Sequence, residues 1–318
     1  MAANTSTNFN STSLSQEVAR RFPCNRTLDL SFWILDGMVG VVIFVGNVFT
    51  CMVFLSKPSL RQNYMNIFLL SLACADTLMA LFVVPWFAAF CEATGCVYPL
   101  SKYCLWFGML RDIPFEGVVL NLVAITYDRH LAVFRPLLYA AKMTKRRVVF
   151  ILCLVWFLPV ATGLLRTTWT FSDLDEKKKK EMDRSYNIFL IFVFVLMPIF
   201  AVFIVNIMIM LTIQKHKQRV APQERSRSET SDSERRERVR KRKGTMSCVL
   251  VVLVFFVCWL PRIVYNLFFL AQAPQLASST YIKTSMFFLL FQSSVNPFIY
   301  SFYRQEFRQA AYELLRIR

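Results

Sequence analysis

Residues Ala124–Pro136 read AITYDRHLAVFRP, and they place an acid–base pair, Asp128 and Arg129, directly after the apolar run Val118–Tyr127. A basic segment, Lys142–Arg147, follows close behind. A charged pair at the end of an apolar helix of membrane length is costly unless it sits at the water boundary and acts there. The stretch therefore reads as the inner end of a membrane span, with the basic segment on the cytoplasmic side.

Working outward, the 318 residues are 56% hydrophobic, with 31 Phe and only 8 Gly. A soluble domain carries about 45–50% apolar residues. Here the apolar residues gather in blocks of about 20, enough to cross a ~30 Å hydrocarbon core as helices. A transmembrane β-barrel would instead alternate with period two over ~10 residues. The net charge of +17 lies in the connections between blocks. Cytoplasmic enrichment of Lys and Arg explains it better than a nucleic-acid partner, and no nucleic acid is expected.

Residues 1–31 are polar and hold three N-x-S/T sites, at Asn4, Asn10 and Asn25, as in an extracellular glycosylated tail. No secretory leader pattern opens the chain, so the first span is expected to act as the insertion signal. Seven apolar blocks follow: Phe32–Leu55, Asn66–Phe90, Tyr103–Phe134, Arg147–Leu165, Asn187–Ile213, Thr245–Leu270 and Tyr281–Tyr303. The first, third and fifth connections are basic. Arg135–Arg147 has five Lys/Arg, and Gln214–Gly244 has twelve Lys/Arg against five acids. Thr167–Ser185 balances its Lys177–Lys180 run with acids, and Ala271–Thr280 carries no charge. The amino terminus is thus expected outside and the carboxyl terminus inside a plasma-membrane protein. High charge argues for disorder in the middle of 214–244, with its ends extending the fifth and sixth helices. Residues 304–318 space Phe307, Ala311, Leu314 and Leu315 on one face, predicting an amphipathic helix on the inner leaflet. The predicted fold is an all-α membrane protein: a seven-transmembrane helix bundle over 32–303 followed by that short helix.

Each block carries a mark: Gly46-Asn47, Leu72-Ala73-Cys74-Ala75-Asp76, Asp128-Arg129-His130, Trp156, Pro198, Cys258-Trp259-Leu260-Pro261 and Asn296-Pro297-Phe298-Ile299-Tyr300. In this order, on matching helices, they resemble the rhodopsin-like (class A) G-protein-coupled receptors from Phe32 to Leu315. The physics of the marks stands without the resemblance. Asp76 is a mid-span carboxylate that must pair or meet water or an ion, with Asn47 and Asn296 as expected neighbours. Pro198, Pro261 and Pro297 interrupt backbone hydrogen bonds and make hinges.

The resemblance implies ligand-biased helix movement that exposes Arg129 to a heterotrimeric G protein, with Trp259 reporting pocket contacts to the hinge at Pro261. Relatives often restrain the counterpart of Arg129 with an acid on the sixth helix. Here that position is Lys241, and Asn206 stands where many have a Tyr, so a weak inactive lock with basal signalling is expected. At the family's sodium site Asp76, Ser293 and Asn296 match, but Val118 replaces a hydroxyl. Leu290 stands at the retinal lysine position, so no such cofactor is expected. No metal site is expected either.

By resemblance the ligand cavity is lined by Arg111, Asp112, Phe115, Leu190, Phe194, Trp259, Arg262, Asn266, Met286 and Leu290. Arg111 occupies the place of the amine-binding acid, which argues against a monoamine. Asp112 is rotated from it by ~100°. Two readings of the guanidiniums remain open. Both pair internally, Arg262 with Glu116 or Asp112 for instance, or one of them clamps a carboxylate, phosphate or peptide acid.

Of nine Cys, five (Cys51, Cys74, Cys153, Cys248 and Cys258) fall in apolar runs and read as small hydrophobes. Cys24, Cys91, Cys96 and Cys104 fall on the outer side. Cys104 matches the family's third-helix cysteine, but Thr167–Ser185 lacks the usual partner. Cys91–Cys96 with Cys24–Cys104 is one arrangement. Ser226, Ser228, Thr230, Ser231 and Ser233 are the sites at which phosphorylation would recruit arrestin. An enzyme is disfavoured by only two His, His130 and His216, and a transporter by the absence of repeats. A non-signalling receptor-like scaffold remains the alternative.

Overall fold

A computed structural model describes residues 25–85, 104–226, 232–273 and 276–315; side chains at 104–109, 216–226, 232–238 and 241 fall outside that description. Asn4, Asn10, Cys24, Cys91, Cys96 and the side chains of Cys104 and Lys241 therefore lie outside the described residues. So do Ser228, Thr230, Ser231 and the side chains of Ser226 and Ser233.

Local chemistry sets where the helices start. Asn25 accepts from the Leu28 amide at 3.1 Å and opens α1, Arg26–Ser56. This cap uses Oδ1 and leaves the amide nitrogen, the atom a glycan would take, uncommitted to it. The first helix thus starts six residues before the apolar block that opens at Phe32. Pro58 starts the short α2, Pro58–Arg61, where its missing N–H costs nothing. Asn63 caps α3, Tyr64–Leu78, which continues through a π-helical turn, Met79–Val83.

The third span is α4, Cys104–Phe134, with Pro114 inside it. Then come α5, Pro136–Lys142, and α6, Lys145–Thr170, capped by Thr144. The fifth span begins earlier than the apolar block. α7, Glu176–Leu190, takes in the Lys177–Lys180 run, and a π-helical turn, Ile191–Leu196, joins it to α8, Met197–Ser226. α9 is Asp232–Leu270 and α10, capped by Ser278, is Ser279–Tyr303. Helix thus covers all of the basic 214–244 connection except 227–231, which lies outside the described residues. Arg, Lys and Glu are good helix formers, and that propensity prevails over charge repulsion.

The helices form a ring: α3 packs on α1 and α4, α8 on α4 and α9, and α10 on both α9 and α1, while α6 lies on the outside of α4. Closure at α1–α10 depends on Gly46, because a Cβ there would meet the Pro297 ring at 3.0 Å. Among the described residues, six helices are long and apolar enough to span a membrane. The seventh, α10, has 25 residues, ~37 Å at 1.5 Å per residue, and also has the length. Its mean hydropathy is held down by Ser285, Gln292, Ser293, Ser294 and Asn296, all buried against neighbouring helices. The outer surface is apolar, as lipid contact requires, with Phe157, Met197 and Phe302 exposed.

The carboxyl-terminal helix, α11, is Gln305–Leu314. Its expected stripe is divided. Phe307 is buried and Ala311 half-buried, whereas Leu314 and Leu315 are 40% and 54% exposed. Phe307 turns into the bundle, 5.4 Å from the Phe54 ring and 6.0 Å from Tyr300. Protein packing thus holds one side of α11, leaving the leucines for the leaflet.

Candidate functional site

At one end of α4, Asp128 is 0% exposed and carries three contacts. Arg129 donates to Oδ2 from Nε at 2.8 Å and also from Nη2, and Tyr139 of α5 donates to Oδ1 at 2.8 Å. Burial, then the charge of Asp128, pushes the Tyr139 phenol up, so it remains a donor at neutral pH. Tyr139 was not singled out by sequence; a Tyr eleven residues past Asp128 signals nothing until α5 folds back. Nearby, Asn206 donates to Thr126 Oγ1 at 2.8 Å, so the residue at the Tyr position ties α8 to α4.

Deeper in the bundle, Asn296 donates to Asp76 Oδ2 at 2.7 Å, as expected. Asn47 donates to the backbone oxygens of Ile43 at 2.9 Å and Ser293 at 3.1 Å rather than to the carboxylate. Ser293 Oγ accepts from Gln292 at 2.6 Å. Val118, fully buried on α4, adds no oxygen to this polar core. Pro297 packs on Gly46, and Tyr300 lies fully buried between Phe54 and Phe307 with its hydroxyl unpartnered among the described residues.

A cavity of about 250 Å³ opens between α4, the α7–π-turn segment, α9 and α10. Of the expected lining, it brings together Arg111, Asp112, Phe115, Leu190, Phe194, Trp259, Arg262, Asn266 and Met286. Leu290, fully buried, does not line it. The structure adds Glu116, Val119, Asn187, Ile191, Val195, Tyr265, Phe269 and Leu289 to the wall. Trp259 stands between Phe255, at 5.1 Å, and Phe115, at 6.1 Å and edge-on. The carbonyl of Pro261, the hinge residue, accepts from Tyr281 at 2.7 Å.

Of the internal pairings open to the two guanidiniums, Arg111 with Asp112 forms, and among the described residues Arg262 makes no ion pair with Asp112 or Glu116. Asp112 is held by Arg111 Nε at 2.9 Å and by Arg166 Nη1 at 3.3 Å. Arg166 also reaches Asp183, at 3.4 Å, on α7. A flexible Arg111 side chain overcomes the ~100° helical offset, so Arg111 and Asp112 meet. Arg262 stacks over the Tyr265 ring at 4.5 Å and donates to the Met286 sulfur at 3.5 Å. Glu116 accepts from the Thr162 hydroxyl at 2.8 Å.

A second charged group lies between α1 and α10. Lys283 donates to the buried Asp29 at 2.7 Å. Buried acids read singly gave no warning of this pair.

A family description, "7 transmembrane receptor (rhodopsin family)", matches residues 46–300, well over half of the chain. The chain belongs to this receptor family. It is a multi-pass membrane protein, and the match covers the Asp76, Arg129, Trp259 and Asn296–Tyr300 marks together. Among curated proteins it is similar to the D(1B) dopamine receptor of Homo sapiens, 33% identical over 121 residues, 38% of this chain and 25% of that protein. The D(1B) dopamine receptor of Xenopus laevis is 33% identical over 135 residues, 41% of this chain and 29% of that protein. The D(2) dopamine receptor A of Xenopus laevis is 36% identical over 129 residues, 40% of this chain and 28% of that protein. The matched part spans only about a quarter of these relatives' own length.

Proposed function

We propose that this protein is a plasma-membrane receptor, amino terminus outside, which binds an extracellular ligand in the cavity and activates heterotrimeric G proteins. The observation that carries the coupling reading is the buried Asp128–Arg129–Tyr139 cluster at the basic end of the bundle. Asp128 keeps a guanidinium out of solvent there. A ligand that moves α9 about Pro261 would release Arg129 to a G-protein α-subunit. Asn25 and the sequons before it would carry glycans, and phosphorylated Ser and Thr near 226–233 would recruit arrestin.

The ligand reading is acid-bearing, and not a monoamine that lacks an acid. Arg262 is the favoured clamp, because it lines the cavity and its planar fork suits a carboxylate. Arg111 faces competition from Asp112. The names of the dopamine-receptor relatives favour an amine instead. Against this stands Arg111 at the amine-binding position. With Leu290 at the retinal lysine position, no covalently held chromophore is proposed.

The test is ligand-free and ligand-driven G-protein activation in transfected cells across the main α-subunit families. Wild type should give a signal that Arg129→Ala removes. A surface-expressed wild type that stays silent through an acidic-ligand screen would leave the non-signalling scaffold as the reading.

A further inference from the structure

The cavity contains a carboxylate that the acid-clamp reading does not use. Glu116 lies on α4 at 4% exposure, and a buried carboxylate at this depth is retained at a cost unless something compensates it. The compensation present is a single neutral donor, Thr162, on Oε2. Its other oxygen, Oε1, has no hydrogen-bond partner, and among the described residues no Lys, Arg or His forms an ion pair with Glu116. Arg111 and Arg166, on the neighbouring turns, are both bound to Asp112.

Two further features of the wall suit a cation. Phe115, adjacent in sequence, and Trp259, edge-on to it at 6.1 Å, line the same cavity, and aromatic faces attract ammonium and guanidinium groups. The indole Nε1 of Trp259 is buried with no acceptor among the described residues. The cavity thus offers a lone acceptor at Glu116 together with aromatic surface.

We propose that Glu116 is a cation-binding subsite in this cavity, so that the ligand carries an ammonium or guanidinium group as well as an acid. The proposal rests on the acid-clamp reading for the other half of the ligand. Arg262, the favoured clamp, and Glu116 line the same cavity from α9 and α4. Opposite charges on facing walls suit a short zwitterion, such as a dipeptide or an ω-amino acid. The cavity volume of about 250 Å³ also suits a molecule this small, since drug-sized ligands occupy ~300–1,000 Å³.

The test uses full-length receptor in lipid nanodiscs, read by ligand-dependent thermal stabilisation and by G-protein activation. Probes are ω-amino acids and unblocked dipeptides, each with its N-acetyl and methyl-ester derivatives, at concentrations up to about 1 mM, the weak end of specific affinity. The parent zwitterions should stabilise wild type, with either derivative weaker by ~10-fold or more. Glu116→Gln should erase the preference for the free amine, and Arg262→Ala the preference for the free acid. Thr162→Val keeps the carboxylate and should keep the amine preference, which guards against a Glu116→Gln protein that fails to fold. If N-acetyl acids match their parents and ignore Glu116→Gln, the subsite is refuted and the acid clamp stands. If methyl esters match their parents and lose their effect in Glu116→Gln, the subsite stands and the acid clamp is refuted. No response to any of the probes overturns the proposal.

Discussion

Tyr139→Phe isolates the contact that connects the short α5 to the Asp128–Arg129 pair. Asp128 is fully buried, and Tyr139 is the donor on Oδ1 at 2.8 Å, while Arg129 serves Oδ2. Removing the hydroxyl deletes one hydrogen bond to a charged acceptor, worth about 1.5–3 kcal/mol. In an Asp128→Asn background the same deletion removes a neutral bond, worth about 0.5–1.5 kcal/mol. The double-mutant cycle should therefore give a coupling of about 1 kcal/mol between Tyr139 and the charge on Asp128. The assay is thermal unfolding of purified receptor, paired with basal G-protein activation in cells. If the bond exists only in the resting arrangement, its loss lowers the resting-to-active ratio by on the order of 10-fold or more, and basal signalling rises. Equal destabilisation in both backgrounds, with unchanged basal output, would refute the view that Tyr139 acts through the carboxylate.

Other consequences follow from the same geometry. Gly46→Val forces side-chain atoms against the Pro297 ring and should cost about 1–3 kcal/mol, seen as lower surface expression and earlier unfolding. Lys283→Met removes the ammonium that donates to the buried Asp29 and should destabilise by up to about 3–5 kcal/mol, with Asp29→Asn restoring part of the loss. Tyr300→Phe removes a buried hydroxyl without a partner, so unfolding should be unchanged or occur later by up to ~1 kcal/mol; marked destabilisation would reveal a partner for that hydroxyl. Lys241→Glu places an acid where relatives restrain the arginine of the third span, and basal signalling should fall; unchanged output would refute the weak-lock reading.

Fold class and span order are legible in the sequence, because a bilayer leaves a chain few options. Each backbone polar group must be bonded within its own helix, so apolar blocks of the right length become spans wherever they lie. Capping residues such as Asn63, Thr144 and Ser278 are likewise local signals, with the bonded amide within three residues. The same holds for Asp128, Arg129 and Asp76, whose cost inside an apolar run is visible without neighbours. Partner choice is different, because it depends on which residues distant helices bring together. Sequence placed Arg262 near Asp112 or Glu116, whereas α6 and α7 supply Arg166 and Asp183, and these settle Asp112 in another network. It gave Asn47 to Asp76, yet the close approach of α1 and α10 at Gly46 and Pro297 sets Asn47 against the Ser293 backbone. It put Phe307 on the lipid face, but Phe54 and Tyr300 draw that ring into the bundle. Local pattern and the bilayer determined the helices; only tertiary packing decided which buried charges neutralise one another and left Glu116 with an oxygen unmatched.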